Sequence, residues 1–322
     1  MFFGSERDPA MKSKTDDPTL QVTLGPLKLK NPVIAASGTF GYGEEYSGII
    51  PWGSLGAIVT KGLSLEPRKG NPPPRLAETP AGMLNAIGLE NVGLEVFFQE
   101  KLPFLRRARC PILVNIFGNT VEEYAEMARR LSDVEGIAGL EVNISCPNLK
   151  AGGVLFASEP RAVHQVISKI RRSTPSFMMV KLSPNVADIG KIALAAEEAG
   201  ADAVSLINTL TGLAIDVQTR TPILGNITGG LSGPAIKPIG VRMVWQVAQS
   251  VRIPVVGMGG IVTTNDALEY LIAGATAIQV GSAHFIDPRA GLKIIDGILG
   301  YLKANGIPNL FPLIGSLKTK GD

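Results

Sequence analysis

The sequence predicts a closed (β/α)₈ barrel, and three observations carry that expectation. First, eight short apolar segments recur along the 322 residues: 31–37, 56–62, 111–117, 139–145, 177–183, 202–209, 253–260 and 276–282. Each is bounded by Gly, Pro, Asn or Ser, and each is apolar on both faces, as parallel strands covered on both sides are. Second, helical patterns lie between many of them, as at 121–132, 159–173, 186–200 and 263–275. The last opens on Thr/Asn/Asp capping chemistry and stops at a glycine. Third, polar or glycine-rich residues sit at the C-terminal end of nearly every segment. A barrel brings all of these ends to one rim. The rival, an open doubly wound sheet, confines ligand chemistry to one switch point.

Composition narrows the class further. Hydrophobic residues make up 45% and charged residues 18%, which suits a globular chain with a sizeable core and not a disordered one. Glycine, at 37 residues, is in excess and points to tight turns or close backbone approach to a ligand. The net charge is +3 and the basic residues are scattered, so no nucleic-acid footprint forms, while anionic small molecules remain suitable partners. Two cysteines without a CxxC pair argue against a disulfide framework, and against a zinc or iron–sulfur site made by this chain alone. No metal site is expected. The N-terminus has no sustained apolar run, and no run reaches membrane-spanning length, so the expected compartment is a reducing cytoplasm.

Taken in order, residues 1–18 are polar, with Pro9 and Pro18, and read as a flexible tail ahead of a single domain at 19–322. Residues 20–32 alternate around Gly25-Pro26 as a short hairpin. Two connections are long, roughly 63–110 and 208–235, and long loops in compact domains are usually functional. The strand ends then supply Ala36, Ser37, Lys61, Asn115, Asn143, Cys146, Asn148, Lys181, Asn208, Thr209, Gly259, Gly260, Gly281 and Ser282. This set holds no acidic pair and no His/carboxylate cluster, which disfavours glycosidase and metal-hydrolase chemistry. It suits a planar, anionic, amide-bearing ligand such as flavin mononucleotide (FMN) together with a heterocyclic acid.

Gly259-Gly260 and Gly281-Ser282 close the seventh and eighth segments, where barrels commonly hold phosphate on backbone N–H groups. Lys181 ends an apolar strand, where a lysine is costly without a negative partner. Beside a flavin's pyrimidine edge it would stabilise the anionic reduced ring. Lys61 ends the second segment and is placed to reach both flavin and substrate. Cys146 follows the fourth segment in NISCPN, between two asparagines and before Pro147. There a thiol can accept a proton when the site or the pH favours thiolate. Cys110 lies at the opposite, N-terminal end of the third segment and reads as structural. His164 falls on a helix; His284 lies near the expected phosphate end or simply packs.

Four segments resemble those of the class 1 dihydroorotate dehydrogenases, and within them class 1B. They are NAIGLENVG at 85–93, NISCPN at 143–148, INTLTGLAID at 207–216 and TGGLSGPAIKPIG at 228–240. The likeness runs from about residue 20 to about residue 300. It implies oxidation of dihydroorotate to orotate in pyrimidine biosynthesis, with Cys146 as the catalytic base and hydride passing to one FMN per chain. It implies substrate contacts at Lys61, Asn85, Gly88, Leu89, Asn143, Asn148, Asn208 and Thr209. It implies an FMN site at Ala36, Ser37, Lys61, Asn115, Asn143, Lys181, Ile207, Gly233, Gly259, Gly260, Gly281 and Ser282. It further implies an electron-transfer subunit carrying FAD and a 2Fe–2S cluster, which passes electrons to NAD, and a homodimer within a heterotetramer. The polar N-terminal extension departs from the family pattern.

Other readings compete with this one. A self-sufficient class 1A-like enzyme would use fumarate. A dihydropyrimidine dehydrogenase-like reductase typically reads SCPH where this chain has SCPN. A tRNA dihydrouridine synthase would want a basic surface and an appended domain. A catalytically silent barrel would have signalled itself by loss of the cysteine or either lysine.

Overall fold

The computed structural model describes residues 17–145, 150–151, 154–155 and 158–319. Residues 1–16 of the expected tail, together with Cys146 and Asn148, lie outside the described residues. Eight parallel strands close into a barrel: β1 (Val33–Ala35), β2 (Ala57–Val59), β3 (Ile112–Ile116), β4 (Gly139–Asn143), β5 (Met178–Lys181), β6 (Ala203–Leu206), β7 (Val255–Met258) and β8 (Ala277–Val280). Each falls within one of the eight predicted segments. Nearly every residue in them is buried, because the outer face meets helices and the inner face meets the opposite strands.

Helices follow the later strands: α1 (Val121–Leu131), α2 (Pro160–Ser173), α3 (Ile189–Glu198), α4 (Lys237–Ala248), α5 (Thr264–Ala273) and α6 (Ala290–Ala304). Their starts follow ordinary capping chemistry. Thr120 accepts from the Glu123 backbone N–H, and Asp188 from that of Lys191. Thr263 and Asp266 form a reciprocal capping box at α5. Among the described residues, no helix is long and apolar enough to cross a membrane.

The predicted hairpin forms at Val22–Leu24 and Leu27–Leu29. Its Leu24 and Leu29 are buried, and its turn meets Asp202 at the start of β6, so it covers the N-terminal mouth. The part of the expected tail that is described begins at Asp17, which pairs with Lys303.

The two long connections, 63–110 and 208–235, carry regular structure of their own. Leu76–Thr79 and Gly82–Asn85 from the first pair with Leu210–Leu213 and Thr228–Ser232 from the second in one antiparallel sheet. The first connection also carries helical turns at Gly93–Val96 and Leu102–Leu105 around a π turn at Phe97–Lys101. Pro103 explains the π turn, because its ring clashes with the carbonyl four residues back in a regular α-helix. Leu94, Phe97, Leu102 and Leu105 point from this run into the core.

Candidate active site

The C-terminal rim of the barrel opens into one cleft. Its walls include Ala36, Ser37, Lys181, Ile207, Asn208, Thr209, Gly233, Gly259, Gly260, Gly281 and Ser282, all singled out from the sequence. Thr39, Ser232, Ile236, Met258, Ile261 and Gln279 complete the lining and were not foreseen.

At one end, Lys181 is buried and donates from Nζ to Ser37 Oγ at 3.0 Å. Asn115 lies beneath that pair, its Nδ2 at 3.5 Å from the same Ser37 oxygen. Deeper still, Glu141 is fully buried inside the barrel. Its carboxylate accepts from Asn115 Nδ2 at 2.6 Å, Gln279 Nε2 at 2.6 Å and Ser205 Oγ at 3.0 Å. The side chains of β3, β4, β6 and β8 thus meet as one polar layer below the cleft.

The other end is built from backbone. Gly260 has φ +69, and a Cβ there would stand 2.7 Å from the Gly233 carbonyl and 3.0 Å from the Lys237 nitrogen, so only glycine closes this turn. The turn is braced from outside. Tyr270 of α5 donates its hydroxyl to Gly259 O at 2.7 Å and lies 3.2 Å from Met258 O. Lys237 binds Asp266 at 2.8 Å and Glu269 at 2.7 Å. Those two hydrogen bonds, Asp266 first, raise the Lys237 ammonium above its ordinary range. Burial opposes ionisation of Asp266, but hydrogen bonds from Lys237 and from the Thr263 and Val262 backbones prevail and hold its carboxyl low. At Gly281 an added Cβ would meet Ala36 at 3.6 Å and Thr39 Oγ1 at 3.7 Å, ordinary contact distances, so this position is not as crowded as Gly260.

The sheet over the rim joins the remaining segments. Asn85 Nδ2 donates to Gly230 O at 3.1 Å. A Cβ on Gly230 would lie 2.1 Å from Thr209 Oγ1, so this glycine lets Thr209 sit against the sheet. Asn208 Nδ2 is 3.5 Å from Asn143 Oδ1, and Asn143 Oδ1 also accepts from the Ser145 backbone at 3.1 Å. Asn185, which sequence reasoning passed over, anchors the Thr209 loop by donating to Thr209 O at 3.1 Å and accepting from Thr211 N at 3.0 Å. Its signal was the Ser-Pro-Asn turn directly after β5.

Other expected residues stand outside the lining of the cleft. Lys61 is half-buried, and its backbone N–H donates to Gly41 O at 2.8 Å. Gly88 and Leu89 both adopt left-handed backbone, with φ 77 and 59, in a loop fastened by Asn91. His164 is exposed on α2. His284 sits in an aromatic box, edge-on to Phe40 at 5.5 Å and Tyr46 at 5.9 Å. Burial pushes its imidazole down to about 4, with the Val280 and Gly281 backbones offsetting part of the effect. Of its two expected alternatives, the packing role is the one this geometry describes.

Comparison with known proteins gives the family. A family model described as Dihydroorotate dehydrogenase matches residues 19–302. The "Dihydroorotate dehydrogenase B (NAD(+)), catalytic subunit" of Geotalea uraniireducens is 58% identical over 302 residues, covering 94% of this chain and 99% of that one. The proteins of the same name from Geotalea daltonii and Geobacter metallireducens are 58% and 56% identical over 301 residues, with the same coverage. The chain therefore belongs to the dihydroorotate dehydrogenase family.

Proposed function

We propose that this chain is the FMN-bearing catalytic subunit of an NAD-linked dihydroorotate dehydrogenase, a single barrel domain at 19–322 that oxidises dihydroorotate to orotate. One observation carries the reading. The separate segments 85–89, 207–209 and 228–233 converge on the sheet beside a cleft that has a buried lysine at one end and glycine turns at the other. The residues fit FMN in kind. Lys181 and Ser37 suit the polar edge of a flat ring, and Gly259, Gly260, Gly281 and Ser282 suit a phosphate on backbone N–H groups. The close approach that Gly260 permits is what such a tail needs.

Bound FMN supplies a two-electron acceptor for hydride from carbon 6 of the substrate. The chain's own residues do the rest. Cys146 takes the proton from carbon 5. Asn85, Asn143, Asn148, Asn208 and Thr209 answer the alternating N–H and C=O groups of a cyclic ureide, because an amide side chain both donates and accepts. Gly88 and Leu89 would shape the loop on the substrate side, and Lys61 would reach in from beside the cleft toward both substrate and flavin. Lys181 offers positive charge to the ring as it gains negative charge. Ala36, Asn115, Ile207 and Gly233 complete the walls or support them.

The names of the relatives, which specify both NAD(+) and a catalytic subunit, support a partner. Two cysteines, one of them assigned to catalysis, cannot ligate a four-thiolate cluster. An electron-transfer subunit with FAD and a 2Fe–2S centre then relays electrons to NAD, in a heterotetramer built on a homodimer of this chain. The cytoplasm is the matching compartment. The test is anaerobic. The purified chain should be yellow, bleach with dihydroorotate but not dihydrouracil, and fail to reduce NAD until the partner is added. Rapid fumarate reduction by the chain alone would overturn the NAD-linked assignment, and a colourless chain that takes up no FMN would overturn the whole reading.

A further inference from the structure

We propose that Glu141 is a positioning residue that sets the reduction potential of the flavin above it, acting as a fixed negative charge beneath Lys181. This rests on the reading of the cleft as a flavin site.

Glu141 is an expensive residue for its place. It is fully buried, and none of the ion pairs among the described residues includes it. A buried carboxylate without a cationic partner costs several kcal/mol even when hydrogen-bonded, and apolar side chains of similar volume commonly fill such a position at less cost. A purely structural layer would therefore gain from losing the charge.

Its contacts lead to the cleft. Gln279, which lines the cleft, donates to one carboxylate oxygen. Asn115 donates to the other, and its nitrogen also lies beside Ser37, the oxygen that receives Lys181. A carboxylate oxygen only accepts, so it turns the nitrogen of both amides downward and leaves both amide oxygens facing elsewhere. The Gln279 oxygen so released has no protein partner. Glu141 thus fixes the orientation of two amides and puts a negative charge one side-chain layer below the lysine.

The sign of the effect follows. On taking up hydride the flavin ring gains two electrons and one proton and becomes anionic. Lys181 favours that form, and a negative charge held below opposes it. Glu141 therefore keeps the potential lower than Lys181 alone would set it. Low protein dielectric lets this act across the layer.

The experiment compares the FMN-loaded wild type with Glu141→Gln and Ser205→Ala, by redox titration and by binding of oxidised and reduced FMN to apoprotein. Glu141→Gln should favour the reduced over the oxidised flavin by about tenfold more than wild type does, an upward shift of about 30 mV for a two-electron couple. Ser205→Ala removes one hydrogen bond and keeps the charge, so it should leave the potential unchanged. If Glu141→Gln does not fold, the joint replacement Glu141→Leu, Ser205→Ala and Gln279→Leu removes the charge together with two of its three donors, leaves Asn115 its contact with Ser37, and carries the same expected shift. An unchanged or lowered potential in the charge-free variant, or an equal shift in Ser205→Ala, would overturn the inference while leaving the flavin site intact. Wild-type protein that takes up no flavin would overturn the functional reading and this inference with it.

Discussion

At the N-terminal rim of the barrel, Cys110 sits beside Pro111 at the foot of β3, and burial pushes its thiol up to about 12, with Lys30 only partly offsetting. At the C-terminal rim, at or just past the strand ends, stand Lys181's partner Ser37, the glycine turns and the amides that end at Ser145, the last described residue before Cys146. The lower rim is capped by a hairpin whose Leu24 and Leu29 are buried, and the upper rim by a glycine-rich sheet and an open cleft. The difference teaches that burial alone disables a thiol as a base. A reactive one needs polar, partly open surroundings. Conserving volume maintains the first rim; conserving atoms and charges maintains the second.

The two cysteines give the largest test of that contrast. Cys146→Ala should slow flavin reduction by dihydroorotate by about 10²–10⁴-fold, the usual contribution of a general base, while keeping FMN. Cys110→Ala should leave the rate alone and change stability by about 1 kcal/mol. Stopped-flow reduction of both variants decides it, and a near wild-type rate in Cys146→Ala would remove the thiol from the mechanism. In the folded wild type, thiol reagents at mildly alkaline pH should label one cysteine per chain and spare Cys110.

Gly230→Ala sharpens the comparison on the upper rim. Its Cβ would meet Thr209 Oγ1 at 2.1 Å and Thr209 Cβ at 2.7 Å. Threonine is branched at that carbon, so no rotation clears the clash, and the loop must move. We expect about 1–3 kcal/mol of lost stability, the usual cost of overpacking. The KM for dihydroorotate should rise more than the oxidised-flavin affinity falls. Equal effects on both would mean that Thr209 does not contact substrate.

His284 tests the ground between the rims. Its folded pKa of about 4 lies below the ordinary value, so the folded state holds it neutral. Stability from this group is complete above the unfolded pKa of about 6.5 and is lost as pH falls toward 4. Between pH 7 and pH 5 the loss amounts to about 2 kcal/mol. Urea unfolding of wild type and His284→Leu at both pH values isolates it, since the variant should lack that portion of the decline. An identical decline in both proteins would mean that the imidazole is not held neutral by burial.

The eight strands were legible because a barrel strand is buried on both faces and bounded by turn residues. The sheet over the rim was not legible, because its strands are written in turn residues. Gly229 and Gly230 read as a loop, yet they are glycines because Asn85 and Thr209 press against them. Glu141 was hidden for a related reason. In GLEVN it alternates with Leu140 and Val142, so it shares a face with Asn143 and there meets Asn115 inside the barrel. A single acid or amide in a strand otherwise buried on both sides, as again at Gln279 in AIQV, was the available signal. The substrate side was legible only through resemblance, since an asparagine at a strand end does not by itself name what it binds.

The smallest expected effect concerns the brace behind the glycine turn. Tyr270 is buried, and burial raises its phenol well above the ordinary range, so it remains a protonated donor at every pH at which the protein folds. Its hydroxyl serves Gly259 O, and its ring fills the space that a Cβ on Gly257 or Gly240 would occupy. Tyr270→Phe keeps the ring and removes the donor, leaving one carbonyl without that bond. The cost should be about 1 kcal/mol of stability, the net worth of a buried hydrogen bond. If the brace also holds Gly259 and Gly260 ready for phosphate, FMN affinity should fall by a few-fold with no change in the rate at saturating FMN, because Tyr270 stands behind the turn and not in the cleft. Loss of stability with unchanged FMN affinity would make the tyrosine part of the packing alone. Loss of affinity independent of pH from 6 to 9 would mark it as support for the phosphate end, as a donor that never ionises requires.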